Sequence, residues 1–558
     1  MDPKIVQRRY DLDWLRVLAF SAVFFYHSGR FDDRRCDMNK GLHNIHRVRV
    51  PVAWIAGLLV AMAALAGCQW IRPANTIPEP DYWPTDGWQA APPETAGFRS
   101  DKMAEGLLAI RQEGIPIHSL TIIRHGQVAV DAYFYPYDGS TVHDMASVTK
   151  SVMTTLIGIA ADQGKLDLDD PMVSFFPDRT IANLDDRKQR ITVAHLASMS
   201  SGLECTETNE ATQQEMMASE DWVQFALDLP VAWEPGTHFV YCNPAIHLLS
   251  PILQQATGMT VLEFARVNLF EPLGIHDTEW TADPQGYNYG WGDLFLKPQD
   301  AAKIGFLWLH QGKWEDRQIV SAEWVAAASQ RRMTGTGRDE DYGYAWWISN
   351  PKEDVGFVQA AGTGGQLIKV LPELDLIFVT TGGGFEVDQI DPYVIAAIGD
   401  FEQPLPANPA GVAALEAAVQ EVSLAPSPLP AASLPEIASA ISGKTYAFEA
   451  NPLLERFRLD FASEAEATME FSVLGEDAPR VVQIGLDGIY RTAPDGALPG
   501  LGRGYWEDDT TFVVDYSTLP SLEHFNFRLT FDGKRVVLDI AERIYGMSAT
   551  LEGFAQEP

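Results

Sequence analysis

Ser147-Val148-Thr149-Lys150 places a hydroxyl and an amine three residues apart, at the start of an amphipathic stretch over residues 151–163. On a helix an i, i+3 pair shares one face, so Lys150 can reach the Ser147 hydroxyl. A serine hydroxyl is a poor nucleophile until a neighbour takes its proton, and a lysine desolvated among Met145, Val148 and Met153 can lose its charge and do so. A helix N-terminus at this point also aims backbone N–H groups at an oxyanion developing on the attacked carbonyl. Ser-x-x-Lys arises by chance about once in a chain of this length, so its weight comes from two further motifs placed in order downstream. Tyr241-Cys242-Asn243 begins 94 residues after Ser147, where an apolar approach runs into a turn. Thr363, a further 122 residues on, lies in Ala361-Gly362-Thr363-Gly364-Gly365-Gln366, which opens a strand over residues 367–371.

In this order the three motifs resemble those of the penicillin-recognising serine hydrolases: class C β-lactamases, D-alanyl-D-alanine peptidases, β-lactamase-like carboxylesterases and 6-aminohexanoate-dimer hydrolases. Segments 192–203, 269–274, 299–305 and 342–347 are similar to the family as well, and the resemblance runs from about Gly97 to Gly399. It implies an α/β (α+β) fold of the serine β-lactamase/transpeptidase type, an antiparallel sheet flanked by helices with a helical subdomain and catalysis at their junction. It further implies that Ser147 is acylated, that Lys150 activates it, and that Tyr241 carries the proton to the leaving group and later activates water. A phenol acts as a base only when a cation stabilises its phenolate, so Tyr241 and Lys150 titrate as a coupled pair. Asn243 orients Lys150 or the substrate amide, or is a turn residue before Pro244; both readings stay open. The backbone N–H groups of Ser147 and Gln366 form the implied oxyanion hole, with Gly364 and Gly365 letting the strand approach the acyl group.

One position departs from the family. Where β-lactamases carry Lys and many relatives His, this chain has Thr363, and a neutral hydroxyl does not anchor a carboxylate as an ammonium does. Ester or linear amide hydrolysis of small acyl substrates is therefore expected ahead of weak β-lactamase or D-amino-acid peptidase activity. Trp347, with Trp291 and Trp346, lines an apolar substrate pocket or belongs to the core. A second class of function, a non-catalytic envelope-binding lipoprotein, has the intact Ser147, Lys150 and Tyr241 against it.

No Gly-x-Ser-x-Gly or His-Glu-x-x-His occurs, and Gly443-Lys444-Thr445 lacks the first glycine of a phosphate loop. The histidines lack metal-ligand spacing; His195, His238 and His247 read as hydrogen-bonded structural residues. No cofactor and no metal are expected. The net charge of −35 disfavours nucleic acid as a partner.

Residues 53–66 are an apolar run preceded by Lys40, Arg47 and Arg49 and ending in Leu65-Ala66-Gly67-Cys68, which resembles a bacterial lipoprotein signal with its lipidation box. Cys68 is then the lipidated first residue, a lipid anchor to the membrane, and the protein is expected in the cell envelope, with Gln69 favouring the outer membrane. Cys205 and Cys242 flank the site motifs and form either a disulfide or two buried thiols. The expected organisation is an acyltransferase-like fragment at 1–37, spurious in origin with the real start at Met38, then a signal peptide at 38–68, a linker at 69–94, the hydrolase domain at 95–403, a Pro/Ala linker at 404–435 holding a weak helix at 411–422, and a β-rich domain, barrel or sandwich, at 436–558. Hairpins are expected at 119–134 and 367–381, with a closing helix at 393–401.

Overall fold

Alternating and fully apolar strands meet in one mixed sheet. The computed structural model describes residues 79–556 apart from 206–208, 335, 338–339, 350–354, 401–402, 431, 450, 452, 474–477, 493–499 and 520. The acyltransferase-like fragment, the signal peptide and Cys68 lie outside the described residues. All described residues belong to one compact unit.

The sheet holds β1 (Gln89–Ala90), β2 (Ile117–Arg124), β3 (Gln127–Tyr133), β4 (Asp341–Tyr342), β5 (Trp347–Ile348), β6 (Val358–Gly362), β7 (Gln366–Leu371) and β8 (Leu376–Gly382). Its order is β1-β3-β2-β8-β7-β6-β5-β4, antiparallel except for β1 against β3. Both expected hairpins are present, turning at His125-Gly126 and at Pro372–Leu374. Strand β2 is buried along its whole length because both faces of the sheet are covered. On one face lie α1 (Ser100–Gln112) and, late in the chain, a helix at Pro409–Ser423.

The Pro409–Ser423 helix corrects the linker expected at 404–435. Leu415, Ala418 and Val422 recur on one face and pack with Leu107, Leu120 and Ile122, so this helix belongs to the hydrolase core. Burial of such a Leu or Val side chain stabilises by roughly 1.5–3 kcal/mol. The linker at 69–94 is likewise part of the fold from Glu79 onward. Trp83 packs on Phe306 and Trp314 at 5.6 and 5.4 Å, and the Trp88 indole N–H donates to the Gln299 carbonyl at 3.0 Å. The closing helix is found at Asp391–Ala397, starting two residues earlier than expected because Pro392 sits in its first turn.

The stretch read as amphipathic is α2 (Val148–Asp162), and it is buried on every face from Val148 to Ala160. It runs between the sheet and the helical subdomain, so its polar residues need internal partners. Ser151 Oγ donates to the Ala345 carbonyl at 2.5 Å and Thr154 Oγ1 to that of Tyr344 at 2.9 Å.

After Pro435 the strands β9 (Thr445–Phe448), β10 (Leu454–Phe461), β11 (Glu466–Val473), β12 (Arg480–Gly485), β13 (Arg491–Thr492), β14 (Gly500–Trp506), β15 (Thr511–Thr518), β16 (His524–Asp532), β17 (Arg535–Glu542) and β18 (Ser548–Ala555) form a second sheet. Its order, β12-β11-β10-β9-β18-β17-β16-β15-β14-β13, is closed by a bridge between β12 and β14, which selects a barrel over a sandwich. Aromatic side chains, Tyr446, Phe457, Phe471, Tyr516, Phe527 and Phe531 among them, fill its core. The barrel packs against the hydrolase: the Tyr490 N–H donates to Tyr135 Oη at 3.0 Å.

Candidate active site

The turn before α2 sets the candidate nucleophile, Ser147. Asp144 Oδ1 accepts the Ala146 N–H at 2.8 Å, and Ala146 is held at φ +45°, a costly conformation for a residue with a Cβ, of the kind that gathers at functional sites. Ser147 comes next, as the N-cap of α2. Lys150 Nζ lies 2.7 Å from Ser147 Oγ and 2.8 Å from the Trp291 carbonyl oxygen, and Lys150 is 1% exposed. Met145, Val148 and Met153 are fully buried, as the desolvation argument requires.

Tyr241 arrives on a loop leading into α3 (Asn243–His247). Lys150 Nζ sits 4.9 Å from the Tyr241 ring centroid, and the Tyr241 ring lies nearly parallel to that of Trp347 at 6.2 Å. The loop is pinned to the 192–203 segment, which explains the resemblance there: Val240 N–H donates to the Met199 carbonyl at 2.8 Å and Gly236 N–H to that of Ser200 at 2.8 Å. Gly202, at φ +76°, has no room for a side chain, since a Cβ would stand 2.2 Å from the Trp233 carbonyl oxygen. Cys205 and Cys242 form a disulfide with Cα atoms 5.7 Å apart, tying the Tyr241 loop a second time.

Asn243 does not orient Lys150. Its Nδ2 donates to Gln213 Oε1 and its backbone N–H to Asn209 Oδ1, while its buried Oδ1 accepts from no described group. An unpaired buried carbonyl oxygen costs free energy unless something else donates to it, and Asn243 borders the cavity beside Ser147.

The implied oxyanion donors, the backbone N–H groups of Ser147 and Gln366, lie in the turn before α2 and at the start of β7. The N–H groups of Val148, Thr149 and Lys150 are taken by the carbonyls of Met145, Ala146 and Ser147, which leaves Ser147's own N–H as the donor this turn presents. Gly362 at the end of β6 closes on it: a Cβ there would stand 2.9 Å from Ser147 N and 2.7 Å from the Met145 carbonyl oxygen. Gln366, the expected second donor, is the ladder partner of Gly362, and its side chain is bound to Gly382, donating to the carbonyl at 2.7 Å and accepting the N–H at 3.0 Å.

These residues border a cavity of about 650 Å³, the size of a small-molecule site. Thr363, Gly364 and Gly365 form its turn, and Trp347 and Trp291 line it, whereas Trp346 is core, stacked on Trp308 at 4.2 Å. Asp144, Asp293, Glu340, Glu386, Asp388 and Asp391 also line it, against Lys369 and the Lys150 beneath. Burial pushes the Asp391 carboxyl up from its ordinary value, opposed by Lys369. His195 closes a capping box with Thr192, His238 stacks on Trp233 at 4.0 Å and His247 bonds Asp283 at 3.0 Å, all structural roles as expected.

Two functional groups, the Trp291 carbonyl and Gly362, are not predicted by residue type. A main-chain acceptor leaves no signal in a sequence, whereas Gly362 stands inside the Gly-rich third motif.

This set of motifs on this sheet belongs to one family: the Beta-lactamase family model matches residues 100–399, and the chain is a member of that family. It is 26% identical over 191 residues to the β-lactamase of Escherichia coli (strain K12), covering 33% of this chain and 48% of that protein. It is 23% identical over 316 residues to the 6-aminohexanoate-dimer hydrolase of Paenarthrobacter ureafaciens, covering 52% of this chain and 79% of the relative. The chain thus spans about half the length of the first of these relatives and over two thirds of the second. An octameric penicillin-binding protein homologue from Pyrococcus abyssi superposes with a TM-score of 0.44 at 19% identity, over 80% of this chain and 99% of that one.

Proposed function

We propose that the protein is a serine hydrolase that cleaves small ester or linear amide substrates through an acyl-serine intermediate. The observation that carries this reading is Lys150 Nζ at 2.7 Å from Ser147 Oγ, fixed from behind by the Trp291 carbonyl and buried beside the Tyr241 ring. The Lys150–Tyr241 pair, one proton short of full, takes the Ser147 hydroxyl proton as Oγ bonds the substrate carbonyl carbon. The proton passes to the leaving oxygen or nitrogen as its bond to that carbon breaks. Water then repeats the sequence on the acyl-enzyme, with the same pair as base, and frees the acid. The backbone N–H groups of Ser147 and Gln366 are the oxyanion donors in this scheme, and Asn243 Oδ1 is an acceptor for a substrate N–H. A lactam and an aminohexanoate dimer, named in the two relatives, are both amides, which fits that last contact.

Thr363 and the carboxylates around the cavity disfavour substrates that carry a carboxylate, including penicillins. A lipid anchor at Cys68 and a place in the cell envelope belong to the same proposal on the strength of the lipidation box. Loss of radiolabelled lipid incorporation in a Cys68→Ala variant tests them.

The function is tested with p-nitrophenyl butyrate, a fluorophosphonate and nitrocefin, alongside Ser147→Ala. Ester turnover, one label lost in the variant and nitrocefin hydrolysis at least about 10³-fold slower than the ester are expected. Folded protein that gives neither turnover nor label overturns the reading in favour of an envelope-binding lipoprotein.

A further inference from the structure

The turn between β17 and β18 leaves the barrel and reaches the catalytic cavity. Tyr545 at its tip borders the same cavity as Ser147, Tyr241 and Asn243, with 38% of its surface exposed. The turn is built to hold that position. The Glu542 carboxylate, 3% exposed, accepts the Ile544 N–H at 2.8 Å and the Tyr545 N–H at 2.6 Å. Glu542 N–H donates to the Met547 carbonyl at 2.8 Å, and Arg543 N–H to the His524 carbonyl at 3.0 Å.

The turn also touches the third motif's support. A Cβ on Gly384 would stand 3.1 Å from Ile544 Cδ1 and 3.4 Å from Arg543 Cγ. Gly384 N–H in turn donates to the Gly364 carbonyl at 3.1 Å. A continuous path of packed groups therefore joins the barrel turn to the Gly364-Gly365 bend beside the nucleophile.

We infer that the C-terminal barrel is a working part of the active site, with Tyr545 as a specificity-determining wall for the portion of the substrate that extends away from Ser147. This rests on the acyl-serine reading proposed for the site. Tyr545 stands at the rim, where a long substrate lies along its ring and a short one never reaches it. A phenol ring on a preformed turn offers contact area with little ordering cost, so its contribution falls on substrate binding rather than on bond breaking.

The experiment compares p-nitrophenyl acetate, butyrate and octanoate as substrates of the purified protein and its Tyr545→Ala and Tyr545→Phe variants, with thermal unfolding as a check on the fold. In Tyr545→Ala, kcat/KM for acetate is expected within about twofold of the parent, while octanoate loses about five- to tenfold, almost all of it in KM. Tyr545→Phe is expected to restore the octanoate value. An equal change along the series, or none, with unfolding unaltered, overturns the inference while the acyl-serine reading stands. If the parent protein leaves Ser147 unlabelled by the fluorophosphonate, the acyl-serine reading fails and the inference falls with it.

Discussion

Lys150 is held at two points, Ser147 Oγ and the Trp291 carbonyl, in surroundings that exclude water. Replacing it with Met keeps the volume and removes the proton acceptor. Such a change is expected to lower kcat for p-nitrophenyl butyrate by about 10²–10⁴-fold with little loss of stability. Lys150→Arg is not expected to rescue, because a guanidinium does not give up its proton. Retained turnover in either variant would show that Tyr241 acts alone. Gly362→Ala probes the oxyanion site instead. Its methyl group would crowd main-chain atoms, Ser147 N and the Met145 carbonyl oxygen, so a loss of about 10²–10³-fold in kcat is expected together with a lower melting temperature, with kcat read well below the variant's unfolding. Ser147, Lys150 and Tyr241 are legible in the sequence because the proposed chemistry rests on their side chains, and the structure brings them together. Asn243 is legible only as a residue of the site, since its partners Gln213 and Asn209 come from a segment with no motif. The oxyanion donors expected at Ser147 and Gln366 are main-chain groups with no side-chain signal, and the Gly-rich third motif is the trace they leave, with Gly362, the ladder partner of Gln366, packed close against Ser147 N.

At the scale of elements, the Tyr241 loop depends on its anchors at Met199 and Ser200 and on the Cys205–Cys242 bridge. A cross-link between residues 37 positions apart stabilises by about 4 kcal/mol through loop entropy. The Cys205→Ser/Cys242→Ser double variant, or the parent under reductant, is expected to unfold at lower temperature and to lose kcat more than KM as Tyr241 loosens. Identical melting curves with and without reductant would refute this. Both hairpins and the barrel strands at 457–461, 467–473, 511–516 and 527–531 are readable from period-two patterns and turn residues. The helix at Pro409–Ser423 is legible as a weak helix at 411–422, but Ala and flanking Pro give its surroundings the look of a linker, and the burial of Leu415, Ala418 and Val422 is supplied only by the tertiary fold. Similarly, the serines and threonines of α2 give it an amphipathic pattern, although carbonyls of neighbouring segments satisfy those hydroxyls inside the core.

Across the whole molecule, hydrolase and barrel meet over a buried histidine pair. His118 Nδ1 lies 2.8 Å from His143 Nε2, His118 stacks on Tyr137 at 3.6 Å, and His143 Nδ1 donates to the Asp144 carbonyl at 2.8 Å. Burial holds His143 down at about 4, and it holds His118 well below the ordinary histidine value, where His143, His524 and Arg543 depress it further. The folded protein therefore binds fewer protons here than the unfolded chain. Stability from this pair is complete above about pH 6.5 and declines as pH falls towards 4, by up to about 1.4 kcal/mol per unit for each histidine. The melting temperature is expected to drop across this window, and His143→Gln to flatten the drop; a variant that keeps the full slope would remove the pair as its cause.

Ser147 caps a helix that is buried from Val148 to Ala160. Such a segment exchanges its amide hydrogens only when the domain opens as a whole. Ser147 and Lys150 then keep their register until the core itself gives way, and activity lost ahead of unfolding must be lost through the loop that carries Tyr241.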